Sequence, residues 1–256
     1  MPKTKLSVVI LTKDSQEIIK DCLESVRFAD DIVIVDDRSS DNTMDICRGY
    51  TDRIFVDSAK GFADKRNFGA EKAAGDWILQ IDSDERVTAG LADAITRAIN
   101  SGKDYAGYKF RRKNYFLGHF MRHGGWYHYS ANLYRRGRAR YEGLVHERLV
   151  LDGPQGKLEE ATEHYPFNGI AQFIERQNRY TSLEARDMLN EKGVVSEKAV
   201  MYNLTWKPVK LFLKFYLKKQ GFREGMTGFI FSALFAYVHF MKWAKYWELA
   251  YGQKTG

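Results

Sequence analysis

Apolar residues in this 256-residue chain come first in short β-branched runs and later in helical periods. Leu6-Ser7-Val8-Val9-Ile10-Leu11 reads as a central strand, and Ile32-Val33-Ile34-Val35 as a second. Between them Ile18, Ile19, Cys22, Leu23 and Val26 recur at helical spacing. A helix to about Gly49, a short strand at Ile54-Phe55-Val56, a helix carrying Arg66-Asn67-Phe68-Gly69 and a strand opening at Trp77 follow. Strand and helix alternate through the first hundred residues, which predicts a mostly parallel sheet flanked by helices, an α/β fold. Ligands of such sheets collect at the carboxyl ends of the strands. Thr12, Asp37, Asp82 and Asp84 all fall at those ends.

The later pattern is different. Residues 167–192 place Ile170, Phe173, Ile174, Tyr180, Leu183 and Leu189 near helical period. Trp206 to Arg223 then holds six basic residues and no acidic one, with Lys207, Lys210, Lys214 and Lys218 on one helical face. A lysine stripe beside apolar residues is how a helix lies on an anionic membrane surface, with Phe212 and Phe215 expected to insert. Met226 to Met241 is sixteen residues without a formal charge, short of the ~20 needed to span a bilayer. A helical hairpin closing the domain, or a dimer interface, is the other reading of this stretch.

Composition narrows the classes. Hydrophobic residues at 44% and charged residues at 29% fit a globular chain, and the net charge of +7 points to an anionic partner. Two cysteines, Cys22 and Cys47, give neither a disulfide framework nor a metal-type cluster. The first apolar run is too short for a secretory signal, so a cytoplasmic place is expected. From Tyr105 to Tyr141 nine Lys or Arg are interleaved with aromatics, without one Asp or Glu. Such a segment suits single-stranded nucleic acid or a phosphorylated sugar, whose ring packs on aromatic faces and whose phosphates pair with arginines. The polar motifs at the strand ends of the first hundred residues favour the sugar, so no nucleic-acid partner is expected, and a solvated basic face over core aromatics is the plain remaining account.

No Gly-x-Gly-x-x-Gly follows the first strand and no Gly-x-x-x-x-Gly-Lys-Ser/Thr occurs, which disfavours dehydrogenases and P-loop phosphotransferases. A sugar nucleotidyltransferase would carry a Gly-rich loop where this chain has Leu11-Thr12-Lys13-Asp14. Asp82-Ser83-Asp84 places two carboxylates at a strand end, where they repel unless a cation shares them; hard ions such as Mg²⁺ or Mn²⁺ take such ligands. An acidic turn capping the helix near Thr88 is the plainer account of the same residues. Ser7-Val8-Val9-Ile10-Leu11-Thr12, Val35-Asp36-Asp37 through Thr43, Arg66-Asn67-x-Gly69, Gly75-Asp76-Trp77 and Ile81-Asp82-Ser83-Asp84 together resemble the inverting family 2 glycosyltransferases.

That resemblance implies a GT-A fold and a nucleotide-diphospho-sugar donor. It implies that Asp37 and Thr12 line the nucleoside site of a UDP-sugar, that Asp84 with Asp82 holds a divalent ion against the diphosphate, and that Arg66 reaches the same diphosphate. A helix-surface arginine is the alternative for Arg66. In Val145-His146-Glu147 the resemblance makes Glu147 the general base, with His146 a rival or an acceptor contact. Arg135, in Leu133-Tyr134-Arg135-Arg136, and Trp126 are expected on the acceptor side. His164 is expected as a diphosphate contact or a third metal ligand, or as an ordinary loop residue. His119, His123, His128 and His239 have no spacing that compels a role. The segment around His164-Tyr165 and the stretch from Gly221 to Phe229 resemble lipopolysaccharide core glucosyltransferases that add a β-1,4 glucose to inner-core heptose. The expected layout is a glycosyltransferase domain over 1–205 (donor half 1–100, acceptor half 101–205) and a basic amphipathic tail over 206–256. The expected acceptor is a lipid-linked glycan, met on the inner face of the cytoplasmic membrane. A non-catalytic nucleotide-sugar or nucleic-acid binding module remains the alternative from another class, and a glycosyltransferase acting on a different cell-surface polysaccharide the alternative within the same class.

Overall fold

The computed structural model describes residues 4–57, 61–143 and 147–252. The chain packs as two compact units: residues up to Lys113 with His128–His164, and Asn114–Tyr127 with Tyr165 onward. The helix at 170–192, expected with the first 205 residues, therefore groups with the C-terminal helices.

The first unit begins β1 (Leu6–Thr12), α1 (Ile19–Ser25), β2 (Asp31–Asp36), α2 (Thr43–Arg48), β3 (Ile54–Val56), α3 (Phe62–Lys72), β4 (Trp77–Asp82), β5 (Glu85–Val87) and α4 (Ala89–Ile99). There follow β6 (Gly107–Phe116), whose last residues count with the second unit, β7 (His119–Phe120) in that unit, then β8 (His128–Arg135), β9 (Ala139–Glu142), β10 (Arg148–Leu151) and β11 (Gln155–His164). The main sheet runs β3-β2-β1-β4-β8-β6-β11-β5. Its β3-β2-β1-β4 part is parallel, while β8 joins β4 antiparallel and also pairs antiparallel with β6. The expectation of a mostly parallel sheet thus holds for the first four strands, and the sheet as a whole is mixed. The alternating inward residues of β1 explain why both faces are covered: Leu6, Val8 and Ile10 enter one apolar cluster and Val9 and Leu11 the other.

Two glycines of the sequence motifs act by close approach. A Cβ at Gly69 would stand 2.4 Å from Val9 Cγ1 and 2.9 Å from Val35 Cγ2, so only glycine lets α3 lie flush on β1 and β2. A Cβ at Gly75 would stand 2.6 Å from the Ser7 amide nitrogen, against backbone that cannot yield. α4 starts beside Thr88 as expected, but its cap is the Thr88 hydroxyl, which accepts from the Leu91 amide at 3.2 Å, and not the acidic turn before it.

The second unit is helical: α5 (Ile170–Lys192), α6 (Glu197–Leu204), α7 (Trp206–Leu213), a π-helical turn (Lys214–Lys218), a 3-10 turn (Gly221–Glu224) and α8 (Gly225–Tyr251). Phe116, Met121, Phe173 and Phe231 form one buried cluster, and Ala185, Val200, Trp243 and Tyr246 another. Among the described residues no helix is long and apolar enough to cross a membrane.

Candidate functional site

The parallel register sets the site. Thr12 lies opposite Asp36, and Leu11 opposite Asp82, so the ends of β1, β2 and β4 stop in one row. Backbone bonds tie the loops beyond them: the Asp37 amide donates to the Thr12 carbonyl at 2.9 Å and the Ser83 amide to the Leu11 carbonyl at 3.2 Å. Thr12 is buried, and its hydroxyl has no hydrogen-bond partner among the described residues. Asp37 is met by Lys65 Nζ at 2.7 Å and Lys13 Nζ at 3.5 Å. Partial burial pushes the Asp37 carboxyl up, but the two ammonium groups outweigh it and hold the group below the usual range.

Arg66 is buried and bridges two carboxylates that the sequence keeps far apart. Its Nη2 donates to Asp82 Oδ1 and Oδ2 at 2.9 and 3.2 Å, and its Nε and Nη2 each lie 3.4 Å from Glu147 Oε1. The guanidinium also sits 5.4 Å from the centre of the Tyr141 ring. Burial disfavours its charge, yet Asp82, Tyr141 and Glu147 together keep it more firmly protonated than an ordinary arginine. The neighbouring Asn67 explains how Glu147 arrives here. Its side chain brackets the Tyr141 backbone, donating to the carbonyl at 2.9 Å and accepting from the amide at 2.8 Å. β9 is thereby clamped to α3, and the β9–β10 hairpin carries Glu147 at the foot of β10. The motif Arg66-Asn67-x-Gly69 therefore joins three jobs: an ion pair, a strand clamp and a close helix–sheet approach.

Asp82 and Asp84 have different neighbours in this arrangement. Asp82 is turned to Arg66, while Asp84 Oδ1 lies 3.4 Å from His164 Nε2. His164 arrives through the antiparallel pairing of β11 with β5, where it stands opposite Glu85. Glu85 is fully buried; it accepts from the Asp82 amide at 3.1 Å and has Arg112 Nη1 at 3.4 Å. Burial raises its carboxyl above the usual range, Asp82 adds to that, and Arg112 opposes it. Sequence reasoning passed over Glu85, Arg112, Lys65, Lys13 and Tyr141. Glu85 carried the one visible signal, an acid directly after Asp82-Ser83-Asp84.

Could these residues hold a divalent ion? Among the described residues no group of three or more His, Cys, Asp or Glu side chains is arranged for one. Asp84 and His164 form a pair whose 3.4 Å separation is near the roughly 3 Å between adjacent ligands of a small octahedral cation. Such a cation keeps only one or two protein ligands when phosphate oxygens complete its shell. The pair fits that requirement, while Asp82 is engaged by Arg66.

The acceptor-side expectations fare differently. Arg135 pairs with Trp77 at the opposite end of β4, lies 5.0 Å from the centre of the Trp77 ring and donates to the carbonyls of Tyr105 and Lys103. Trp77 and Asp82 are five residue steps apart along the strand, about 16 Å, so Arg135 is not part of this cluster. Its work here is to hold the start of β4. Trp126 belongs to the second unit, where its ring packs 5.1 Å from Phe231 and 5.6 Å from Phe235. It is a packing residue there. His146 lies outside the described residues. His119 and His123, which no spacing singled out, meet on one carboxylate of the second unit, Glu224, at 2.6 and 2.5 Å.

The family model described as Glycosyl transferase family 2 matches residues 7–148. A lipopolysaccharide core biosynthesis glycosyltransferase, LpsC of Rhizobium meliloti, is 27% identical over 97% of this chain and 94% of its own. An uncharacterized glycosyltransferase of Rickettsia typhi is 25% identical over 96% and 88%. Among solved structures, S. aureus TarS in complex with UDP-GlcNAc aligns with a TM-score of 0.47 at 16% identity, over 97% of this chain and 92% of that one.

Proposed function

The chain belongs to the family 2 glycosyltransferases, and from that premise we propose that it transfers a hexose, with inversion, from a UDP-sugar to a lipid-linked glycan. One observation carries the reading: Thr12, Asp37, Asp82 and Asp84 stand at the ends of three neighbouring strands, and Arg66 draws Glu147 to the same place. Thr12 and Asp37 take the nucleoside, the Thr12 hydroxyl, without a partner among the described residues, bonding the base or ribose. Lys65 and Lys13, now on Asp37, lie where they can follow the diphosphate charge. Asp84 and His164 would hold a divalent ion, Mg²⁺ or Mn²⁺; when bound, it supplies Lewis-acid neutralisation of the departing nucleoside diphosphate.

Inverting transfer forms one bond while another breaks. Glu147 takes the proton of an acceptor hydroxyl, the hydroxyl oxygen bonds to the anomeric carbon, and the bond from that carbon to the diphosphate oxygen breaks with its electron pair leaving on UDP. Arg66 fixes the Glu147 carboxylate and contributes a permanent positive charge to a site that gathers negative charge. The 27% identity to LpsC, a lipopolysaccharide core biosynthesis glycosyltransferase, supports an acceptor in the lipopolysaccharide core, and the choice of glucose and of the inner core rests on the resemblance of the His164-Tyr165 and Gly221–Phe229 segments. Such an acceptor also supports a place on the inner face of the cytoplasmic membrane.

Purified protein should be incubated with UDP-hexoses and core oligosaccharides, and the products read by mass spectrometry. Wild type should yield a single added hexose that EDTA suppresses. Glu147→Gln and Asp84→Ala should each lower turnover by at least about a hundredfold while the circular dichroism spectrum is unchanged. Undiminished transfer by Asp84→Ala would sink the ion assignment, and binding of UDP-sugar without transfer to any acceptor would favour a non-catalytic module.

A further inference from the structure

In the second unit, α7 and the π-helical turn show three faces. Leu211, Phe212, Phe215 and Tyr216 are half-buried; Phe215 packs near Phe231 and Phe235, and Phe212 stacks on Tyr216 and meets Phe229 edge-on. Phe212 and Phe215, expected to enter a membrane, are therefore spent inside the unit. The opposite face is apolar and exposed: Trp206, Val209, Leu213 and Leu217 are 65%, 50%, 45% and 54% accessible. Their spacing of three, four and four residues keeps them in one line about 16 Å long. Lys207, Lys210, Lys214 and Lys218 follow each of these residues by one position and form a basic row along one flank.

The chain after the turn extends this face. A Cβ on Gly228 would stand 1.9 Å from the Gly221 carbonyl oxygen, so the two glycines let the 3-10 turn fold back tightly on the start of α8. Phe222 and Phe229, both exposed, each lie about an aromatic contact from Tyr216, at 6.3 and 5.8 Å. The acid of this turn, Glu224, is withdrawn from the surface: its side chain is 8% exposed and is held by His119 and His123. Residues 206–223 contain no acid at all. An exposed apolar line flanked by cations, with the next carboxylate in sequence turned inward, has the charge of a lipid contact. A face for a second copy of the chain would need acids to answer these lysines.

We propose that Trp206, Val209, Leu213 and Leu217, continued by Phe222 and Phe229, insert into the interfacial layer of a bilayer while the flanking lysines pair with anionic phospholipid headgroups. This rests on the reading of the chain as an enzyme with a membrane-borne acceptor, and it adds which face docks and on what chemistry. Vesicle flotation decides it, using phosphatidylglycerol-containing vesicles against pure phosphatidylcholine at low salt. Wild type should float with the anionic vesicles alone, and Trp206 emission should shift to the blue. Leu213→Gln with Leu217→Gln should cut the partition at least tenfold. Lys214→Glu with Lys218→Glu should cut it at least 25-fold, about fivefold for each lysine–headgroup pair removed. Both substituted proteins should keep wild-type transfer to a lipid-free core oligosaccharide.

Wild type that ignores anionic vesicles would overturn the proposal. So would glutamine variants that still float, or that turn a wild-type dimer into a monomer in sedimentation equilibrium. A wild type that floats but transfers no sugar would leave the docking face standing and refute the enzymatic reading instead.

Discussion

Removing the Arg66 guanidinium tests the centre of the site most directly. In Arg66→Met the Asp82 and Glu147 carboxylates lose their shared cation, and the buried Glu85 lies close behind them. Breaking a fully buried pair on one side costs about 3–5 kcal/mol. Here the two acids keep 35% and 22% of their side-chain exposure, so water recovers part of that. A net loss of about 2 kcal/mol follows. Arg66→Lys retains the charge but loses the two-pronged contact and the stacking on Tyr141, for a loss of about 1 kcal/mol. Urea unfolding at neutral pH measures both values. The double change Arg66→Met with Glu147→Gln should recover a measurable share, because the second substitution removes one of the stranded charges. Turnover should fall far more steeply than stability, since the arginine also sets the position of Glu147. Equal urea midpoints for wild type and Arg66→Met, with turnover intact, would refute the bridge as a working part of the site.

Three further outcomes are expected. Thr12→Val removes a buried hydroxyl that has no partner among the described residues, so stability should hold or rise by up to about 1 kcal/mol while the KM for the donor increases; an unchanged KM would separate this hydroxyl from ligand binding. Gly69→Ala forces a methyl against Val9 and Val35, and thermal unfolding should show a loss of about 1–3 kcal/mol. Burial, with Lys242 and Lys207 nearby, lowers His239 from 6.5 to about 4. Its folded value lies below its unfolded one, so its contribution to stability is complete above pH 6.5 and drains away as pH falls toward 4. His239→Gln should flatten that stretch of the stability–pH curve relative to wild type, and parallel curves would count against it.

Much of this was legible along the chain because it is local. The β-branched runs at Leu6 and Ile32, the alternation with helices and the polar residues just past each strand depend only on neighbours in sequence. They determine a parallel half-sheet and name Thr12, Asp37, Asp82 and Asp84 as its edge. The lysine row of residues 207–218 and the short uncharged stretch after it were equally visible as periodicity. What periodicity could not carry was pairing between distant segments. Arg66 and Glu147 are 81 residues apart and meet only because Asn67 clamps the backbone of Tyr141. Asp84 and His164 meet because β11 pairs with β5, a register set by the whole antiparallel half of the sheet. The same register carries Arg135 to the far end of β4, although its own sequence context looked functional. Helical period likewise left the identity of the solvent face of α7 open. The core closed by Phe231 and Phe235 took in Phe215, Phe212 turned onto Tyr216 and Phe229, and the line from Trp206 to Leu217 was left outside. Local propensity fixes which residues share a face; only tertiary packing chooses which face is buried, because that choice depends on apolar area contributed by other parts of the chain.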